Sequence, residues 1–159
     1  MVTRDDPIAS LLKRQPVVIL DGGLATELEA RGEALDERLW SAGTLLDDPA
    51  AIERLHADYL EAGADCIVSA SYQATFEGFA ARGLTTREAE RALVRSVELA
   101  LSARDAYWSS DRAEDRERPL VAASVGPYGA WLADGSEYRG DYGLDEEELY
   151  RFHRRRFRL

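Results

Sequence analysis

Asp21 and the two glycines that follow it could bind a small polar ligand. Paired glycines let a backbone approach a ligand closely and present free N–H groups. A carboxylate beside them can accept an ammonium group or orient a nucleophile. The candidate site here comprises Asp21, Gly22, Gly23, Thr26 and Glu27. The alternative is a strand-to-helix turn that Thr26 caps, with Glu29 completing a capping box. Capping leaves Asp21 unexplained, so we favour a functional role for that carboxylate.

Two later segments carry further candidate ligand-binding side chains. Ser71, Tyr72 and Gln73 offer hydroxyl, phenol and amide groups, which orient small polar substrates. Tyr128 follows a Gly-Pro turn and could line the mouth of a pocket. Residues 133–143 are polar, aromatic and glycine-rich, which is typical of either a lid or an ordinary surface loop. None of the glycine spacings is that of a P-loop or a dinucleotide-binding turn.

Each candidate segment follows a short apolar run that predicts a buried strand. The runs cover residues 17–20, 66–69 and 120–125, and none alternates cleanly between apolar and polar side chains. Continuous apolar runs of this length suit strands that are covered on both faces, as in parallel sheets. Because ligands bind at the carboxyl ends of such strands, the three candidate segments are expected at one edge of the sheet.

Helices are predicted between the strands. Asp48 and Pro49 begin one helix, which ends near Gly63. Two more helices are predicted by capping boxes, which are Thr85 with Glu88 and Asp145 with Glu148. A short leading helix is predicted around Leu11 and Leu12. The charged residues 111–118 are expected to form a solvated loop. This alternation predicts parallel strands in either a doubly wound sheet or part of a (β/α)8 barrel.

Composition excludes several classes of protein. The 159 residues carry a net charge of −10, which argues against nucleic acid as the main partner. No stretch approaches the roughly 20 apolar residues of a membrane span, and the first residues do not resemble a secretory signal. The single cysteine fits a reducing, cytoplasmic environment.

The histidines and the cysteine give no recognisable metal-ligand set. Cys66 falls inside a predicted strand and is expected to be a small buried hydrophobic residue. His56 lies on the apolar side of its helix and is expected to be packed or half-exposed. His153 lies among arginines and is expected on a solvated face.

The ordered set of motifs at the three strand ends resembles the homocysteine S-methyltransferase family, in the branch that uses S-methylmethionine or S-adenosylmethionine. The resemblance covers nearly the whole chain, in the expected order. The matching segments, written by number, are 20–28, 39–42, 62–65, 71–75, 78–79, 124–130 and 134–140.

The resemblance implies a (β/α)8 barrel that transfers a methyl group from a sulfonium donor to homocysteine, giving methionine. It also implies a zinc ion, held by three cysteines, that lowers the pKa of the homocysteine thiol. By the same resemblance Asp21, Gly22 and Gly23 lie near the homocysteine and the metal. Ser71, Tyr72, Gln73 and Tyr128 then line the pocket.

The sequence departs from the family pattern at the zinc ligands. Its one cysteine, Cys66, matches none of them, because those cysteines belong to later strands of the barrel. We therefore expect residues 1–159 to form about three βα units plus a leading helix, a partial barrel domain that stops before the zinc-binding half. Alone it should be inactive; a complementing C-terminal half would restore activity.

A second hypothesis is a non-catalytic barrel fragment that self-associates or binds a partner chain, because a partial barrel leaves strand edges unpaired. A third is a complete small doubly wound domain with its own ligand.

Overall fold

The computed structural model describes residues 6–33, 35 and 39–159. Two short parallel strands, β1 (Cys66–Val68) and β2 (Leu120–Ala122), form its sheet. Cys66 pairs with Leu120, Ile67 with Val121 and Val68 with Ala122. Both strands lie inside the predicted runs but are shorter. The pairing does not continue past Ala122 in the usual way, because the Ser124 N–H donates to the side-chain hydroxyl of Ser69 and not to a backbone carbonyl.

The strand predicted at residues 17–20 is wrong as a full strand. Only one parallel bridge forms there, between Leu20 and Cys66. The Ile19 carbonyl accepts from the Cys66 N–H, and the Asp21 N–H donates to the Cys66 carbonyl. Further along, the Val68 N–H is bound by the Asp21 carboxylate instead of a carbonyl. The apolar side chains of Val17, Ile19 and Leu20 are 58%, 51% and 61% exposed, so burial does not hold this segment in a ladder.

The four helices predicted from local sequence are present. They are α1 (Pro7–Arg14), α4 (Pro49–Glu61), α6 (Thr86–Trp108) and α8 (Glu146–Arg154). Asp48 caps α4 by accepting from the Ala51 N–H, and both predicted capping boxes form. Gly63 follows α4 with φ +108°, where a side chain would be strained. No helix in the described ranges has the length and apolar character that a membrane span requires.

Four shorter helices were not predicted in this form: α2 (Leu24–Ala30), α3 (Ser41–Asp47), α5 (Phe76–Ala81) and α7 (Tyr128–Leu132). Helix α2 begins after Gly23 with no side-chain cap, so the predicted capping role of Thr26 is wrong. Helix α5 is capped by Thr75, whose hydroxyl accepts from the Gly78 N–H. These helices have only five to seven residues and form because their apolar sides pack.

The core consists of three groups of buried side chains around α4 and α6. One joins α3 and α5 to α6, the second joins α4 and α6 to the sheet, and the third joins α2 to α4; their largest members are Leu39, Leu45, Phe79, Leu60, Ile67, Tyr107, Leu28, Ile52 and Leu55. The long helices α4 and α6 therefore pack against the sheet, whereas the short helices α5 and α7 come directly after the loops that follow β1 and β2.

Asp65 organises the amino end of the sheet. The residue is 4% exposed, and its carboxylate accepts from the Ile19 N–H at 2.9 Å, from the Gln15 amide and from Arg116 at 2.8 Å. The Arg116 guanidinium also donates to three carbonyls at the end of α4 and to the Tyr107 hydroxyl. The loop at 111–118 is thus not wholly solvated as predicted, because Arg116 ties it to the strand starts.

Candidate functional site

The structure brings the three predicted segments together at the carboxyl edge of the sheet. The Asp21 carboxylate binds the Val68 N–H of β1 at 2.8 Å. The Ser71 hydroxyl donates to the Ser124 carbonyl at 2.8 Å, and the Gly126 N–H donates to the Tyr72 carbonyl at 3.0 Å. The loops that follow both strands are therefore fixed to each other and to Asp21.

Asp21 keeps one carboxylate oxygen available for a ligand. Oδ2 accepts from the Val68 N–H, whereas Oδ1 accepts no hydrogen bond from another residue in the described ranges. Half-burial raises the pKa of Asp21, and the Val68 N–H opposes that rise. A cationic group beside Oδ1 would offset the cost of burying the carboxylate.

Tyr59 of α4 supports the Asp21-Gly22-Gly23 turn, a role that the sequence did not predict. Its hydroxyl lies 3.4 Å from the Gly23 carbonyl, and a Cβ on Gly22 would be 3.0 Å from that hydroxyl. Burial raises the pKa of Tyr59, and the charges of Glu27 and Asp21 raise it further. The only sequence signal was the position of Tyr59 on the apolar side of α4.

Thr26 and Glu27 lie on α2, the helix that follows the Asp21-Gly22-Gly23 turn. Thr26 is exposed, and the Glu27 carboxylate pairs with Arg31 at 2.9 Å. Arg31 also pairs with Asp58 of α4, so this network joins two helices at the surface. Glu27 therefore contributes charge near Tyr59 but makes no contact with Asp21.

Ser71 and Gln73 are buried and use their polar groups inside the protein. The Ser71 hydroxyl donates to the Ser124 carbonyl, so the Ser69 hydroxyl, 2.7 Å away, must donate to Ser71. The Gln73 amide donates to the Ala130 carbonyl at 3.3 Å. These side chains tie the loop after β1 to the segment that follows β2. Tyr72 differs, because it is 45% exposed.

Tyr128 anchors an aromatic cluster over the strand ends. Its ring centroid lies 5.1 Å from Trp131, 5.6 Å from Tyr142 and 4.9 Å from Phe152. Residues 133–143 fold back against α7, where a Cβ on Gly129 would lie 2.4 Å from the Glu137 nitrogen. Tyr142 thus joins the long loop to the residue predicted to line the pocket mouth.

Arg156 is a second residue that the sequence did not predict. It is 7% exposed, and its guanidinium donates to the Ala74 carbonyl at 3.3 Å and to the Gly126 carbonyl at 3.2 Å. It also lies 2.8 Å from His153 Nδ1. The prediction that His153 is solvated is wrong, since it is half-buried and burial lowers its pKa. Nothing in an arginine-rich segment marks which arginine is buried.

We expect Gly126→Ala to lower the free energy of unfolding by about 2 kcal/mol. An added Cβ would lie 2.3 Å from the Tyr72 carbonyl oxygen, which accepts from the Gly126 N–H. Gly23→Ala is the matched control, because its nearest atom is the movable Thr26 hydroxyl at 3.2 Å. Urea denaturation of both variants measures the difference in the free energy of unfolding. Equal decreases in the two variants would show that the contact between Gly126 and the Tyr72 carbonyl is not tightly packed.

The described residues do not fit the three-thiolate metal site that the resemblance implies. Within the described ranges no group of three His, Cys, Asp or Glu side chains could hold a metal ion. Cys66 is buried in β1, and burial, followed by the Asp21 charge, raises the pKa of its thiol. That environment keeps the thiol protonated, which is unfavourable for metal binding.

Fold and site together define an α/β protein with a candidate ligand site at the carboxyl edge of a parallel sheet. The sequence identifies the family of the protein. The family model described as Homocysteine S-methyltransferase matches residues 18–159, and the chain belongs to this family.

Relatives and a solved structure agree with this assignment. The chain is 53% identical over 154 residues to Homocysteine S-methyltransferase YbgG of Bacillus subtilis, covering 96% of this chain and 49% of the relative. It is 51% identical to Homocysteine S-methyltransferase 1 of Arabidopsis thaliana, covering 89% and 45%. The crystal structure of the metallated homocysteine methyltransferase MmuM from Escherichia coli superposes with a TM-score of 0.88 at 51% identity, over 96% of this chain and 52% of that one. The chain thus spans about half the length of these relatives.

Proposed function

We propose that this chain is the N-terminal half of a homocysteine S-methyltransferase barrel and supplies part of its substrate pocket. The reaction transfers a methyl group from S-methylmethionine or S-adenosylmethionine to homocysteine. The observation that carries the proposal is that three strand-end segments of a family-matched sequence are joined by hydrogen bonds: Asp21 accepts from the Val68 N–H of β1, and the Tyr72 carbonyl accepts from the Gly126 N–H. A single buried cysteine is consistent with a protein that functions in the reducing cytoplasm.

In this proposal Asp21 binds the ammonium group of homocysteine. Its free Oδ1 offers a charged acceptor at a half-buried position, and Gly22 and Gly23 let the backbone approach the amino acid. Ser71 and Gln73 hold the second loop, while Tyr128 closes one side through its aromatic neighbours. The zinc expected in the family would need ligands from outside the described residues.

The test is a chimera in which this chain replaces the matching half of the B. subtilis relative, assayed with homocysteine and S-methylmethionine. We expect the chimera to form methionine and the isolated 159-residue chain to form none. In the chimera, Asp21→Asn should lower kcat/KM by about 10- to 100-fold, the value of a charged hydrogen bond. Asp141→Asn, an exposed acid outside the proposed site, is the control. Methionine formation by the isolated chain would contradict the proposal.

A second candidate function is a self-associating or partner-binding fragment. The observation that favours it is the exposed apolar edge formed by Val17, Ile19 and Leu20. Light scattering after size-exclusion chromatography separates the two candidates. A stable homo-oligomer that dissociates on Ile19→Lys would support self-association, and a monomer at all concentrations would exclude it.

A further inference from the structure

Glu137 places an unpaired carboxylate among phenols beside the strand ends. Its Oε2 lies 3.4 Å from the Tyr72 hydroxyl, and its proximity raises the pKa of Tyr138. Glu137 forms no ion pair with any residue that the structure describes. Neither the ligand-binding role proposed for Asp21 nor the aromatic packing of Tyr128 involves the Glu137 carboxylate.

The loop holds Glu137 in place. The Ser136 N–H donates to the Asp134 carboxylate at 2.8 Å, and the Gly140 N–H donates to the Ser136 carbonyl at 2.9 Å. The backbone of Glu137 packs so closely on Gly129 that a Cβ there would not fit. The carboxylate is therefore held on a fixed backbone beside Tyr72, in the loop that follows β1.

The chemistry of this cluster is that of a cation-binding site. A carboxylate attracts positive charge, and the faces of aromatic rings attract cations whose charge is spread over alkyl groups. Tyr72 and Tyr138 are 45% and 87% exposed, so a ligand can reach them from solvent. Among the substrates of the proposed function, the methyl donor carries a sulfonium charge.

We propose that Glu137, together with the rings of Tyr72 and Tyr138, recognises the positive charge of the sulfonium methyl donor. The inference rests on the proposed function and assigns its donor-selecting group. During transfer, the homocysteine thiolate forms a new S–C bond to the methyl carbon, and the donor's S–C bond breaks. Its electron pair returns to the donor sulfur, which becomes a neutral thioether. Glu137 then no longer attracts the product, so the same carboxylate favours donor over product.

The test is to titrate this chain with S-methylmethionine and with methionine at low salt, and to measure binding by two-dimensional NMR. The two ligands differ only by one methyl group and one charge. We expect S-methylmethionine to bind about fivefold more tightly than methionine, and this preference to be lost in Glu137→Gln. Asp141→Asn removes the same charge from the same loop and should keep the preference. Tyr138→Leu should weaken it and Tyr138→Phe should restore it.

The outcomes separate this inference from the proposed function. A preference for S-methylmethionine that Glu137→Gln leaves intact would place donor recognition elsewhere and overturn the inference alone. Equal binding of the two ligands would also overturn it, while homocysteine binding that depends on Asp21 would leave the proposed function standing. If neither S-methylmethionine nor homocysteine binds, both proposals fail.

Discussion

Asp65→Ala should lower the free energy of unfolding by about 4 kcal/mol, the loss typical of removing one member of a buried ion pair. The Asp65 carboxylate is 6% exposed and binds Arg116, the Ile19 N–H and the Gln15 amide. Its removal leaves the Ile19 N–H without its acceptor and Arg116 without its counter-charge. The segment before Asp21 would then lose its attachment to β1, which urea denaturation would report.

Two variants show which part of this loss comes from burial and which from charge. Asp105→Ala breaks an Asp–Arg network on the surface, where the Asp105 side chain is 52% exposed, and should cost less than about 1 kcal/mol. Asp65→Asn keeps the shape and the acceptor for Ile19, so its loss should lie between the two. Similar losses in Asp65→Ala and Asp105→Ala would contradict the role assigned to Asp65.

The helices that the sequence predicted are those whose end signals are local. Thr85 and Glu88 are three residues apart and satisfy each other's backbone groups, so the start of α6 can be read without its tertiary contacts. The apolar run at residues 17–20 gives no such signal, because a strand forms only when neighbours accept its hydrogen bonds and cover its side chains. Only the Leu20–Cys66 bridge meets the first condition.

In the candidate site too, the sequence predicted some residues correctly and not others. Asp21 stands out in the sequence because a carboxylate beside two glycines is unusual in a simple turn, and the structure places it at the strand ends. Ser71 was predicted as a ligand-binding group, yet its hydroxyl donates a hydrogen bond to the carbonyl of Ser124, which is 53 residues away in the chain. Arg156 was missed since its burial depends on Ala74 and Gly126, both distant in the chain.

His56 should make the stability of the protein depend on pH between about 4 and 6.5. The ring is fully buried, in agreement with the packed position that the sequence allowed, and neither ring nitrogen has a hydrogen-bond partner among the residues that the structure describes. Burial lowers its pKa from 6.5 to about 4, with Glu53 opposing the change. As pH falls below 6.5 the unfolded chain binds a proton that the folded chain does not. Stability therefore falls until the pH reaches about 4, by about 3 kcal/mol.

Urea denaturation from pH 7 to 4 on wild type, His56→Leu and His153→Gln isolates this effect. Carboxylates contribute equally to all three proteins, so the difference between wild type and His56→Leu belongs to His56. We expect His56→Leu to lose most of the decline and to be more stable than wild type near pH 5. The pKa of His153 is lowered too, so His153→Gln should remove only a smaller share. Parallel stability curves for wild type and His56→Leu would show that His56 binds protons equally in the folded and unfolded states, and would contradict the effect expected from burial of the ring.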